Sequence, residues 1–321
     1  MKILVTAPFS EPDLKQLETF GDVVYRPWKA NGREHTPEQL VDLLKASQAN
    51  ALIVEHDPVN ARVLDEVKLE FIGVCRGTPS NVDVAAAAER GISVYTTPAR
   101  NAQAVAEYVI GELIAMLRKF RQSKSWLLER NWTTSSQESY LQFRGSELCG
   151  KTVGLVGFGG VGQKIAGILK HFSCRIQYYD PFLQASPDPD YSAVELEKLF
   201  ETSDIVSIHL PVTSDTIGMI DRRLFGLMKP DALFVNSARA AVVDRDALYE
   251  ALKERKIGGA VVDVFYSEPP DERDYELIEL PNVSATPHIA GNTLEVDKYH
   301  AQILLKALHQ RKLQPEAVKG E

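Results

Sequence analysis

Three short runs in the second half of the chain each set one chemically capable side chain just past an apolar stretch. Asn236-Ser237-Ala238-Arg239 offers a guanidinium, Asp263-Val-Phe-Tyr-Ser-Glu268-Pro269 a carboxylate, and Thr286-Pro-His288 an imidazole. That trio suits hydride transfer between a nicotinamide cofactor and a 2-hydroxy or 2-keto acid. Reducing a ketone needs a hydride at carbon and a proton at oxygen. His288 can be the acid, because an unperturbed imidazole titrates near physiological pH. Glu268, bonded to its other ring nitrogen, would orient the ring and favour its protonated form. Arg239 would hold the substrate carboxylate and carbonyl oxygen and polarise the bond to be reduced. In the oxidative direction His288 is the base.

Such chemistry needs a dinucleotide, and the stretch from Lys151 to Asp180 is patterned for one. Thr152 to Val156 is a short, β-branched apolar run, as in a strand buried on both faces. Gly157, Gly159 and Gly162 then fit G-x-G-x-x-G: a tight turn, close backbone approach to a pyrophosphate, and close helix–strand packing. Val161, Ile165, Ile168 and Leu169 recur at helical spacing, so a helix starts at the glycines. The amides of Gly160 and Val161 and the positive end of its dipole face the phosphates. Asp180 closes the next strand and would accept hydrogen bonds from both hydroxyls of an adenosine ribose. It would repel the extra phosphate of NADP, so NAD is the expected cofactor.

These residues need a scaffold that places them at one edge. Further strands are expected at Ile205 to Leu210, Ala232 to Asn236, Ala260 to Val264 and Val283 to Thr286, with helices between them, making six strands of a doubly wound sheet. Ligands of such sheets bind outside the carboxyl ends of the strands. The N-terminal part reads as a separate α/β unit, with strands at Lys2 to Thr6, Asp22 to Arg26, Ala51 to Val54, Phe71 to Cys75 and Ser93 to Thr96. Its helices are expected at Asp13 to Phe20, Pro37 to Ser47 with Thr36 as N-cap, and Val82 to Arg90, ending at Gly91. Asn101 begins a long apolar helix through Met116, suited to burial between domains or against a second subunit. Thr133 to Gly145 reads as a surface loop, Thr293 to His309 as a last helix, and Gln314 to Glu321 as a polar tail.

The chain resembles the D-isomer-specific 2-hydroxyacid dehydrogenases, including short forms of phosphoglycerate dehydrogenase. The matching segments are Gly157 to Gly162, Asp204-Ile-Val-Ser-Ile-His209-Leu-Pro211 with Thr213 and Thr216, Asn236 to Arg239, Asp263 to Pro269 and Thr286-Pro-His-Ile-Ala-Gly291. Asn81-Val-Asp83 and Asn101 to Arg118 match as well. The resemblance implies Arg239, Glu268 and His288 as the catalytic set and Asp263 on the nicotinamide amide. It also places His209, Pro211, Thr216, Ser237, Ala238 and Gly291 along the cofactor. It implies a Rossmann NAD domain, residues 100–289, inserted in a smaller flavodoxin-like substrate domain, residues 1–99 plus 290–321. The active site would lie in the cleft, with hinges near Thr97 to Asn101 and Ile289 to Thr293. A homodimer through the NAD domain is implied too. Arg76, Gly77, Thr78 and Asn101 are expected to meet substrate, the loop amides cradling its carboxylate and Arg76 a second anionic group. Two departures stand out: Ala240 follows the arginine where glycine is usual, and the substrate loop reads Arg76-Gly77-Thr78-Pro79 rather than Gly-x-Gly. No regulatory domain is expected after the last helix.

Composition narrows the partners. At 321 residues two domains are expected. A net charge of −8 and the lack of basic runs argue against nucleic acid. Cys75, Cys149 and Cys174 form no C-x-x-C, so no metal site or disulfide framework is signalled, and a cytoplasmic location is expected. Neither a signal peptide nor a membrane span is apparent. A rival reading is an NAD-sensing, corepressor-like binding protein on the same fold, which would bind NADH without turning over keto acids.

Overall fold

The structure, a computed structural model, describes residues 1–133, 135–183 and 185–313. It forms two compact units, one of Met1–Asn101 with the segment from Thr293, the other of Ala102–Asn292. In the first unit, β1 (Lys2–Val5), β2 (Asp22–Tyr25), β3 (Ala51–Val54), β4 (Phe71–Val74) and β5 (Ser93–Thr96) pair in parallel in the order β2-β1-β3-β4-β5. This is the flavodoxin-like order. Side chains alternate between faces. Leu4, Leu52, Val54, Ile72 and Val74 pack toward the helix Pro37–Ser47. Ile3, Val5, Ala51, Ile53 and Phe71 meet Ala301, Leu304, Leu305 and Leu308 of the last helix, Leu294–Leu313. The chain's final helix thus completes its first sheet.

The second unit holds β6 (Thr152–Val156), β7 (Arg175–Tyr179), β8 (Tyr191–Ala193), β9 (Ile205–Ile208), β10 (Leu233–Asn236), β11 (Gly259–Val262) and β12 (Val283–Ala285). All pair in parallel, in the order β12-β11-β10-β9-β6-β7-β8. This is a Rossmann sheet with a seventh strand. Strand direction of growth reverses between β6 and β9, the position where doubly wound sheets bind ligands.

Several expectations change. The sequence reading has six strands here and omits β8, whose three residues are largely exposed and carry no apolar run. Within the expected loop at 133–145, Ser136–Gln142 is a short helix, and Ala61–Glu66 is another, capped by Asn60. The long helix, Ala102–Leu117, buries Val105, Val109 and Leu113 against Ile165 and Leu169 of the second unit's own core. Its apolar character is therefore used inside that unit. The tail expected at Gln314 to Glu321 lies outside the described residues. No helix among the described residues is long and apolar enough to cross a membrane.

Candidate active site

Register across the second sheet places the site. Tyr179 pairs with Val156, Val156 with Ile208, Ile208 with Asn236, Asn236 with Val262, and Val262 with Ala285. The next residue on each strand, taken across the sheet, is Asp180, Gly157, His209, Ser237, Asp263 and Thr286. At about 4.8 Å per strand, these residues span roughly 24 Å along one carboxyl edge. Residues scattered over more than a hundred positions of sequence thus become neighbours in a row.

One end of the row fits a dinucleotide. Gly157 has φ +89°, and a Cβ there would lie 2.6 Å from the His209 carbonyl oxygen. A Cβ on Gly162 would lie 2.5 Å from the Gly157 carbonyl oxygen, so the helix Gly160–Lys170 sits directly against the turn. Gly159 is different: a Cβ there would meet nothing within 4 Å. No side chain caps this helix, so its first amides remain available to an anion. Asp180 is tied to the turn, accepting from the Phe158 amide at 2.8 Å and from the Phe182 amide at 3.0 Å. Each oxygen keeps a lone pair for a ribose hydroxyl. Ser237 Oγ is buried without a hydrogen-bond partner among the described residues, a polar atom that a bound ligand could satisfy. The residues present therefore fit a dinucleotide.

Other expected cofactor residues shape loops. Thr216 donates to the Pro211 carbonyl at 2.6 Å and accepts from the Thr213 amide at 2.8 Å. His209 lies 2.9 Å from Ser207 Oγ through Nε2, and desolvation pushes its imidazole well down, so it is neutral. Gly160, Pro211 and Ala238 are at least partly exposed on this rim, as are Val161 and Gly291.

At the other end of the row stand the expected acid–base groups. His288 Nδ1 lies 2.8 and 2.9 Å from the two Glu268 oxygens. Only an N–H can bridge to a carboxylate, so Nδ1 carries the proton. Both side chains are about two-fifths exposed, at 42% and 44%, so the pair is open to a substrate. Asp274, fully buried and 3.0 Å from Arg245, accepts from the Ser267 amide at 3.2 Å and so steadies the loop carrying Glu268. Arg239 is exposed at the end of β10, and its hydrogen bond runs to the Ala238 carbonyl at 2.6 Å rather than to the pair. The Asn236 side chain braces that loop from both sides, accepting from Ala238 N and donating to the Arg239 carbonyl, each at 3.0 Å.

Asp263 is completely buried. Its carboxylate accepts from Thr286 Oγ1 at 2.5 Å, Ile289 N at 2.9 Å and Ala290 N at 2.8 Å. The sequence placed Asp263 on the right edge; which way its carboxylate turns depends on contacts that no local pattern records.

In the first unit, Arg76, Gly77 and Thr78 follow β4. Arg76 Nη1 lies 3.4 Å from His56 Nδ1, and its carbonyl accepts from Thr97 N at 2.9 Å. Behind them Glu55 is buried against Arg100 at 2.9 Å and the Trp28 indole at 3.1 Å. Asn101 directly precedes the helix Ala102–Leu117.

This sheet, edge and dinucleotide turn define an NAD-dependent oxidoreductase. Residues 110–290 match the NAD-binding domain of the D-isomer specific 2-hydroxyacid dehydrogenases. The Bacillus subtilis (strain 168) protein named "Putative 2-hydroxyacid dehydrogenase YoaD" is 54% identical over 310 residues, 96% of this chain and 90% of that protein. The glyoxylate reductase of Thermococcus litoralis is 34% identical, over 96% of this chain and 92% of its own length. A solved D-2-hydroxyisocaproate dehydrogenase has a TM-score of 0.83 at 25% identity, over 99% of both chains. The chain belongs to the D-isomer specific 2-hydroxyacid dehydrogenase family. It is an NAD-dependent enzyme of small 2-hydroxy or 2-keto acids.

Proposed function

We propose that the enzyme interconverts a small D-2-hydroxy acid and its 2-keto acid, with His288 as general acid and base, Glu268 as its orienting partner and Arg239 on the substrate carboxylate and carbonyl oxygen. The observation that carries this is the Glu268–His288 hydrogen bond at the end of the row that begins with Asp180 and Gly157. A reduced nicotinamide dinucleotide held at Gly157 to Gly162 and Asp180 would supply the hydride for the carbonyl carbon. His288 Nε2 gives its proton to the carbonyl oxygen, leaving the alcohol, and Glu268 stabilises the ring through Nδ1. Arg239, exposed on a braced loop, offers a forked donor for carboxylate and carbonyl together. In the reverse direction Nε2 takes the hydroxyl proton.

The expected substrate loop carries the cation Arg76, which favours an acid with a second polar group, and relatives named hydroxypyruvate reductase and glyoxylate reductase make those two acids the first candidates. A second copy of the chain fits the exposed apolar residues Phe120, Leu127, Leu128, Trp132, Tyr140 and Leu141, supporting a homodimer through the second unit. The three free cysteines suit a reducing cytoplasm. The test is NADH oxidation with hydroxypyruvate, its phosphate, glyoxylate and pyruvate. Saturable turnover of at least one is expected. Tight NADH binding without turnover of any of them would favour the sensing protein instead.

A further inference from the structure

His288 adopts φ +54°, in the left-handed region. A residue with a Cβ rests there only when its surroundings hold it. Those surroundings are specific. The left-handed residue turns the chain so that the next two amides, Ile289 and Ala290, converge on the Asp263 carboxylate at 2.9 and 2.8 Å. Successive amides aimed at one anion form a stable nest. Thr286, two residues before His288, spends its only hydroxyl proton on Asp263 at 2.5 Å. The 2.5 Å contact between Tyr108 and Thr286 must then have the Tyr108 hydroxyl as donor. Burial pushes that phenol's pKa up, which keeps it a donor. One turn further along the same helix, Glu112 accepts from Ser284 at 2.5 Å. Helix and strand are therefore pinned at two points immediately before the histidine.

We propose that Asp263, Thr286 and Tyr108 are positioning residues that lock the His288 turn and so hold its Nδ1 on Glu268. The inference rests on His288 being the acid–base group. It makes the enclosed carboxylate a device for aligning an exposed imidazole, with the buried phenol as its outer brace.

The test uses the full-length enzyme with Thr286→Val, Thr286→Ser, Tyr108→Phe and Asp263→Asn. Thr286→Val and Tyr108→Phe should lower kcat by ~10- to 100-fold, the size of effect a slight misplacement of a reacting group produces. NADH Kd should stay at the wild-type value, and Thr286→Ser should keep most of kcat. A crystal structure of Thr286→Val should show His288 parted from Glu268. If that structure retains the paired, left-handed His288, or if Thr286→Val turns over like the wild type, the proposal is overturned. It is equally overturned if Asp263→Asn folds and keeps wild-type kcat at saturating NADH. Should Asp263→Asn fail to fold, the threonine and tyrosine variants still decide. A wild type that turns over no keto acid would defeat the functional reading, while the crystallographic result would still judge the positioning network.

Discussion

Two glycines of the dinucleotide turn should respond in opposite ways to one added methyl group. Gly157 sits at φ +89° with the His209 carbonyl oxygen 2.6 Å from where a Cβ would be. Left-handed backbone costs an alanine about 1–2 kcal/mol, and overpacking against backbone costs a further ~1–3 kcal/mol. Gly157→Ala should therefore destabilise by about 2–5 kcal/mol, lowering Tm by roughly 4–20 °C for a unit of this size. Gly159 has φ −72° and open space beyond its α-carbon. Gly159→Ala should change stability by less than about 1 kcal/mol. Yet its methyl would stand in the space the pyrophosphate needs. Loss of one charge-assisted hydrogen bond, about 1.5–3 kcal/mol, raises the NADH Kd by ~10- to 100-fold. Thermal unfolding without cofactor and fluorescence titration with NADH separate the two effects. A Gly159→Ala protein that binds NADH like the wild type would refute the cradle.

Asp180→Ala should weaken NADH and narrow the preference over NADPH, read from paired Kd values; a wild type that already prefers NADPH would contradict the role given to this carboxylate. Leu128→Lys with Leu141→Lys, at sites 73% and 72% exposed, should yield a monomer by sedimentation from a dimeric wild type, and a monomeric wild type would end that reading. His300 is fully buried, donating from Nε2 to the Pro8 carbonyl at 2.7 Å while Nδ1 faces Arg100, and desolvation lowers its pKa. The unfolded chain takes up a proton as pH falls through about 6.5 while the folded chain resists it, so stability is present above that pH and declines below it. Tm should fall between pH 7 and pH 5, and His300→Gln should flatten that slope; an unchanged slope would count against it.

Local chemistry made parts of this enzyme readable in advance. The helix Pro37–Ser47 announces itself through Thr36 and Pro37, and the structure adds Gln39 to complete a capping box. The glycine turn reads directly because Gly157 and Gly162 leave no room for a Cβ. Strand β8 was unreadable because it is brief, exposed and free of apolar pattern. The left-handed turn at His288 is invisible for another reason: it is enforced by Asp263, Thr286 and Tyr108, the last bonded across 178 positions. Sequence spacing identifies which strand ends carry polar groups. It does not say which of those groups look outward to a ligand and which turn inward to hold the loop.

The account depends most on His288 supplying the proton, and His288→Asn tests that with least disturbance, because asparagine tolerates the left-handed backbone better than alanine. With NADH and the best 2-keto acid, kcat should fall by ~10²-fold or more while NADH Kd and Tm stay at wild-type values. A variant that keeps near-wild-type turnover would contradict the assignment.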